Sequence, residues 1–213
     1  MNKNKPLLTV LIVIAAIVIL AFFWFRGKYN GMVVLEEGVK TAWSQVENQY
    51  QRRLDLIPNL VATVQGYASH ERETLEGVIE ARSKATSVNI NPANMSQIGL
   101  DQFLAAQNQV NSALSRLMVV VERYPDLKAN QNFLELQAQL EGTENRIAVE
   151  RMRFNETAQK YNTYIRLFPT NIVASMFNFE QKPYFAAQDG ADYAPTVDFS
   201  SLSNNTPTPA STE

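Results

Sequence analysis

His70 is the only histidine in the chain, and there is no cysteine. Those two counts narrow the chemistry at once. A helical di-iron bundle needs a Glu-x-x-His pair on each of two helices, so one histidine excludes it. His70-Glu71-Arg72-Glu73-Thr74 opens like a zinc-protease helix, but Thr74 stands where the second histidine must be. No Gly-x-Ser-x-Gly nucleophile elbow occurs, and no glycine-rich phosphate loop. His70 therefore reads as a solvated surface residue. Glu71, Glu73, Glu76 and Glu80 resemble a cation site on paper. With Arg72, Arg82 and Lys84 beside them they read as a solvated helix face. No catalytic, cofactor-binding or metal-binding residue is expected, and the chain is read as non-enzymatic.

The polar residues that interrupt apolar seams are the better candidates. Arg52, Arg53 and Asp55 sit together at one helix turn. Glu141, Glu144, Arg146, Glu150 and Arg151 sit mid-way along a long heptad pattern. Charges in a packed seam must be paired. One reading is an ion-pair network that fixes helix register. The other is a polar groove that receives a partner peptide or ligand.

These residues need helices to hold them, and the helices need a starting point. Leu7 to Phe25 reads LLTVLIVIAAIVILAFFWF, with Thr9 its only hydroxyl and no charge. As a helix at about 1.5 Å per residue it is roughly 28 Å long, close to the ~30 Å of a hydrocarbon core. A cleaved signal peptide is the weaker reading, because the run is long and ends in Phe22-Phe23-Trp24-Phe25 rather than in small residues. A single-pass membrane helix is expected. Trp24, Arg26 and Lys28 would be its interfacial residues. Lys3 and Lys5 on one flank balance Arg26 and Lys28 on the other, so the positive-inside rule leaves orientation open.

Four helices are expected after it. Met32, Val39 and Val46 are seven apart, with Leu35, Ala42 and Trp43 between them, which predicts a helix over 28–52. Pro58 removes an amide donor, and Asp55 is a good cap for a new first turn. A reversal near Leu54 and a second helix over 56–88 follow, with an apolar face of Leu60, Val64, Tyr67, Leu75, Val78, Ala81 and Ala85. One long helix kinked at Pro58 is the alternative. Asn89 to Asn94 reads as a loop. Ser96 or Asp101 could cap a third helix over 97–123, carrying Phe103, Val110, Leu117 and Tyr124. Phe133, Leu140, Ile147, Phe154, Tyr161 and Phe168 repeat every seven residues along a fourth helix over 127–167, closed by Pro169. Short turns between such helices make an all-α, antiparallel up-down bundle. Residues 172–185 are aromatic-rich and should fold back onto the bundle end. Residues 188–213 are polar and rich in Ser, Thr and Pro, so they are expected to be disordered.

Charge excludes one class of partner. The chain has 19 basic and 21 acidic residues. A nucleic-acid binder would show a basic face, and none is legible. The expected partners are the lipid bilayer, through residues 7–25, and a protein of unidentified kind, with self-association left open. No cofactor is implied.

Several stretches resemble the LemA family. They are Tyr29-Asn30; Ala42 to Tyr50, leading into Gln51-Arg52-Arg53-x-Asp55-Leu56-Ile57-Pro58-Asn59-Leu60-Val61; Tyr124 to Asn130 with Phe133; Leu140-Glu141-Gly142-Thr143-Glu144-Asn145-Arg146-Ile147; Tyr161-Asn162; Phe168-Pro169-Thr170-Asn171; and Pro183-Tyr184-Phe185. The resemblance covers about residues 29–185, and the tail after about 188 is not counted in it. It implies a bacterial membrane protein with one N-terminal transmembrane helix and a four-helix bundle. It also implies a short N-terminus outside and a bundle in the cytoplasm. It supplies no catalytic residues.

Overall fold

In the computed structural model, which describes residues 5–186, all regular structure is helical. The first helix, α1, runs without interruption from Lys5 to Tyr67 and contains Pro58. At about 1.5 Å per residue it is roughly 95 Å long. The expected reversal near Leu54 is therefore corrected, as are the boundaries 28–52 and 56–88. The turn falls at 68–71, and α2 is Arg72–Ser87.

The helix survives Pro58 for a specific reason. Proline has no N–H, so the carbonyl four residues back, on Leu54, loses its helical donor. Arg82 of α2 fills that place: its Nε donates to the Leu54 oxygen at 2.9 Å. Asp55 caps nothing; it is exposed and accepts from Gln51 Nε2 at 2.8 Å. The tertiary bond thus replaces the missing local one. Arg82→Leu is expected to cost about 1–2 kcal/mol, since the stranded carbonyl loses a charge-assisted bond. In a Pro58→Ala background, which restores the N–H, the same change should cost clearly less. Chemical denaturation of the four proteins in detergent micelles reads the difference, and equal costs would refute the account.

A short 3-10 turn, Pro92–Asn94, leads to α3 (Gln97–Val121), capped by Ser96, whose Oγ accepts from the Gly99 N–H at 3.1 Å. Asp101 takes no part in the cap. The expected fourth helix over 127–167 is two: α4 (Pro125–Lys128) and α5 (Gln131–Arg166). Asn130 separates them, its Oδ1 accepting from the Phe133 N–H at 3.0 Å. The last helix, α6, is Thr170–Met176. It ends in a left-handed residue, Asn178, at φ 55°, and the Phe179 N–H reaches back to the Ala174 oxygen at 3.0 Å.

The long helices pack in two pairs, α1 with α5 and α2 with α3, and α2 also lies on α1. Gly31 meets Tyr164, Gly38 meets Thr157 and Arg53 meets Glu144, so α1 and α5 run antiparallel. The heptads of α5 are buried as expected at Phe133, Leu140, Ile147, Phe154 and Tyr161. Two expected core residues are not: Tyr67 and Phe168 are exposed, the latter beyond the end of α5. Below Lys28, the side chains from Thr9 to Trp24 are exposed. Among the described residues one helix, α1, is long and apolar enough to cross a membrane. The segment 188–213, expected to be disordered, lies outside the described residues.

Candidate functional site

Two apolar cores stack along the body. One holds Leu54, Ile57, Leu60, Leu117 and Leu140; the other holds Trp43, Tyr50, Phe103, Ile147 and Phe154. Arg53 lies at the junction. Its guanidinium is buried, with the side chain 2% exposed. Nη1 donates to Asn111 Oδ1 at 2.6 Å and to Glu144 Oε2 at 2.8 Å, and Nη2 donates to Gln107 Oε1 at 2.6 Å. The cation also sits 5.1 Å from the Tyr50 ring centroid. Only the buried Nε lacks a partner among the described residues. One residue of α1, two of α3 and one of α5 thus form a polar layer.

Beside this layer α3 and α5 part to leave a groove of about 380 Å³. Arg53 and Glu144 stand at one end. Leu114, Met118 and Leu140 form its apolar wall; Asn111, Ser115, Gln137 and Glu141 edge it.

The other seam residues scatter. Arg52 and Arg146 are exposed. Glu141 is exposed and accepts from Gln137 Nε2 at 3.0 Å. Glu150 pairs with Arg153 at 2.8 Å. Arg151 belongs to a second site further down α5: Nη2 donates to the Ala186 oxygen at 3.1 Å, and the guanidinium lies 4.8 Å from the Phe185 ring centroid. The structure therefore brings together Arg53 and Glu144, with Glu141 on the groove edge. It does not bring Arg52, Asp55, Arg146 or Arg151 into the layer.

That second site is an extended strap, residues 180–186, laid along α5 and α1. Asn162 grips it at both polar atoms of Lys182: Nδ2 donates to the carbonyl at 2.8 Å and Oδ1 accepts from the N–H at 2.8 Å. Asn155, seven residues earlier, grips Phe185 the same way at 2.9 Å twice. The Lys182 ammonium is buried against Glu36 Oε1 at 2.9 Å and the Ala93 oxygen at 3.0 Å. Sequence reasoning missed Gln107, Asn111, Asn155 and Asn162. The signal was there: each is a polar residue at or beside a core position of a heptad.

Burial pushes the phenols of Tyr50 and Tyr161 up, the first against the charges of Arg151 and Arg53, the second further raised by Glu36 and Glu180. The folded state keeps both protons while the unfolded chain releases them from about pH 10. Their contribution to stability is complete below that pH and is lost above it. The denaturation midpoint should fall between about pH 9 and pH 11, and less so in Tyr161→Phe. The Tyr161 hydroxyl has no partner among the described residues, so that change should not destabilise at neutral pH.

His70 is exposed, in the turn before α2. Glu71 pairs with Arg123 at 3.1 Å, and Glu80 with Lys84 at 2.8 Å. Among the described residues no three acidic or histidine side chains gather as metal ligands do. Trp24 and Arg26 are exposed at the end of the apolar run, and Lys28 lies 5.7 Å from the Tyr164 ring centroid.

Comparison with known proteins agrees with the resemblance. The model of the LemA family matches residues 42–199. It starts later than Tyr29 and extends past 188, where the shared body was expected to stop. Magnetosome protein MamQ 2 of Paramagnetospirillum magneticum is 28% identical over 200 residues, covering 85% of this chain and 74% of its own. Protein LemA of Metamycoplasma hominis is 24% identical over 168 residues, covering 79% of this chain and 73% of its own. Magnetosome protein MamQ of Magnetospirillum gryphiswaldense is 28% identical over 182 residues, covering 78% and 67%. With most of its length matched by the family model, the chain belongs to the LemA family.

Proposed function

We propose that this protein is a membrane-anchored, non-enzymatic interaction module. Residues 7–25 cross the cell membrane once, and an antiparallel four-helix bundle of α1, α2, α3 and α5 stands on one side of it. The observation that carries this reading is the continuity of α1: one helix holds both the apolar run and Arg53. The groove between α3 and α5 receives an amphipathic segment of a partner protein. Leu114, Met118 and Leu140 suit its apolar face, and the acidic edge at Glu141 suits a basic residue on it. Tethering raises local concentration, so modest affinity suffices. No nucleic acid and no cofactor enter the function.

A photo-crosslinker at Ser115 in intact membranes tests this. A defined adduct, lost when Glu141→Lys reverses the charge of the groove edge, supports it. An adduct indifferent to Glu141→Lys, or none, refutes it. Ile98→Cys, exposed on a chain without other cysteines, reports the side of the bundle with an impermeant maleimide on whole cells.

The same continuity supports a second reading, a ligand-sensing bundle that passes a helix shift through the membrane. No proline interrupts α1 between Phe25 and Arg53. Thermal shifts of the purified protein with small metabolites would favour it, and a flat response would sink it.

A further inference from the structure

At the foot of the body, five large apolar side chains face solvent within eleven residues: Leu167, Phe168, Ile172, Met176 and Phe177. Phe168 is 80% exposed. Ile172 and Met176 are four apart and share one face of α6, and Phe168 stands in the turn that leads into it. The opposite face carries Thr170, Val173 and Ala174, all buried against the body. So α6 is packed on one side and bare on the other. An exposed apolar patch of this kind marks an interaction surface.

Its position says what covers it. The Phe177 ring lies 4.8 Å from Tyr29 and 6.5 Å from Phe25, centroid to centroid. Phe25 is the last residue of the apolar run of α1. Phe177 therefore sits at the level where α1 leaves the hydrocarbon. Arg26, Lys28 and Arg166 lie at the same end of the body, where anionic headgroups would be.

We propose that residues 167–177 are a membrane-seated foot, with these five side chains entering the headgroup–acyl boundary of the bilayer that α1 crosses. The inference rests on the single-pass reading of α1. A helix this short binds lipid weakly alone, but α1 already holds it at the surface. The foot and the span then fix the tilt of the body, as one post with one brace.

The test uses the full chain in vesicles of phosphatidylethanolamine with a minority of phosphatidylglycerol. Single cysteines replace Phe168, Met176, Leu20 and Val119, each carrying a nitroxide. Val119 is exposed near the far end of the body. Collision with oxygen, which enters lipid, is compared with collision with a water-soluble nickel chelate. The expected result is a several-fold rise in the oxygen-to-nickel ratio at 168, 176 and 20 over 119. A lipid signal at 20 with a ratio at 168 and 176 like that at 119 overturns the foot and leaves the span. Low collision with both reagents at 168 and 176 means protein covers them, and also overturns it. A water signal at 20 overturns the single-pass reading itself, and the foot with it.

Discussion

Glu144→Ala is expected to cost about 3 kcal/mol of folding stability, although Glu144 is itself half exposed. The reason lies in its partner. Arg53 is buried, and among the described residues Glu144 is its only anionic partner; Gln107 and Asn111 offer neutral oxygens. Removing one member of a buried pair typically costs ~3–5 kcal/mol because it strands the other charge. The 52% exposure of the Glu144 side chain admits solvent and places the effect at the lower end. The mirror change should behave differently. Arg53→Met leaves Glu144 free to turn to water, so the remaining loss is mainly that of the bonds to Gln107 and Asn111. Combining the two should therefore be milder than the sum, and Arg53→Met should recover part of what Glu144→Ala loses. Equilibrium denaturation of the two single mutants and the double mutant, in detergent micelles, reads this directly. Strict additivity would mean that the charge on Arg53 is not held by Glu144.

The same layer shows which features a sequence exposes and which it hides. The charged middle of α5 was legible because Phe133, Leu140, Ile147 and Phe154 keep strict register around it, and the break between the two cores falls there. The pairing of Arg53 with Glu144 was within reach, since both were singled out as seam residues. Arg52 and Asp55 were grouped with them by adjacency alone. On a helix, neighbours in sequence point some 100° apart, so Arg53 turns in while Arg52 and Asp55 face water. Pro58 misled for a different reason. Its local rule is sound, but the donor that offsets it comes from Arg82, on another helix. Asn130 was hidden because the apolar repeat begins only at Phe133, three residues past the backbone break, and a single capping side chain marks that break. A long-range bond such as that from Arg82 to the Leu54 carbonyl leaves no periodic trace.

The strap across α5 gives the second large effect. Phe185→Ala is expected to cost about 3–5 kcal/mol, as full truncation of a buried phenylalanine does. Its ring stacks 6.1 Å from Trp43 with planes 16° apart and meets the Phe154 ring edge-on at 5.3 Å. Arg151 covers it from the outer side. Aromatic pairs in these arrangements add to the area they bury. The strap contributes this ring to a core built mainly from helices, so its loss should lower the stability of the whole lower body. Asn162→Ala should act otherwise. It removes both bonds to Lys182, whose N–H and C=O are then stranded beside a buried ammonium. The cost is about 2–3 kcal/mol, and the relief is local, because the strap can lift around Lys182 while Asn155 still holds Phe185 in the core. Hydrogen exchange by mass spectrometry separates the two cases. In Asn162→Ala, faster exchange should be confined to about residues 179–186. In Phe185→Ala it should also reach the stretches of α1 around Trp43 and of α5 around Phe154. Were Asn162→Ala to loosen α1 and α5 equally, the strap would be an integral part of the core rather than a segment clipped onto it.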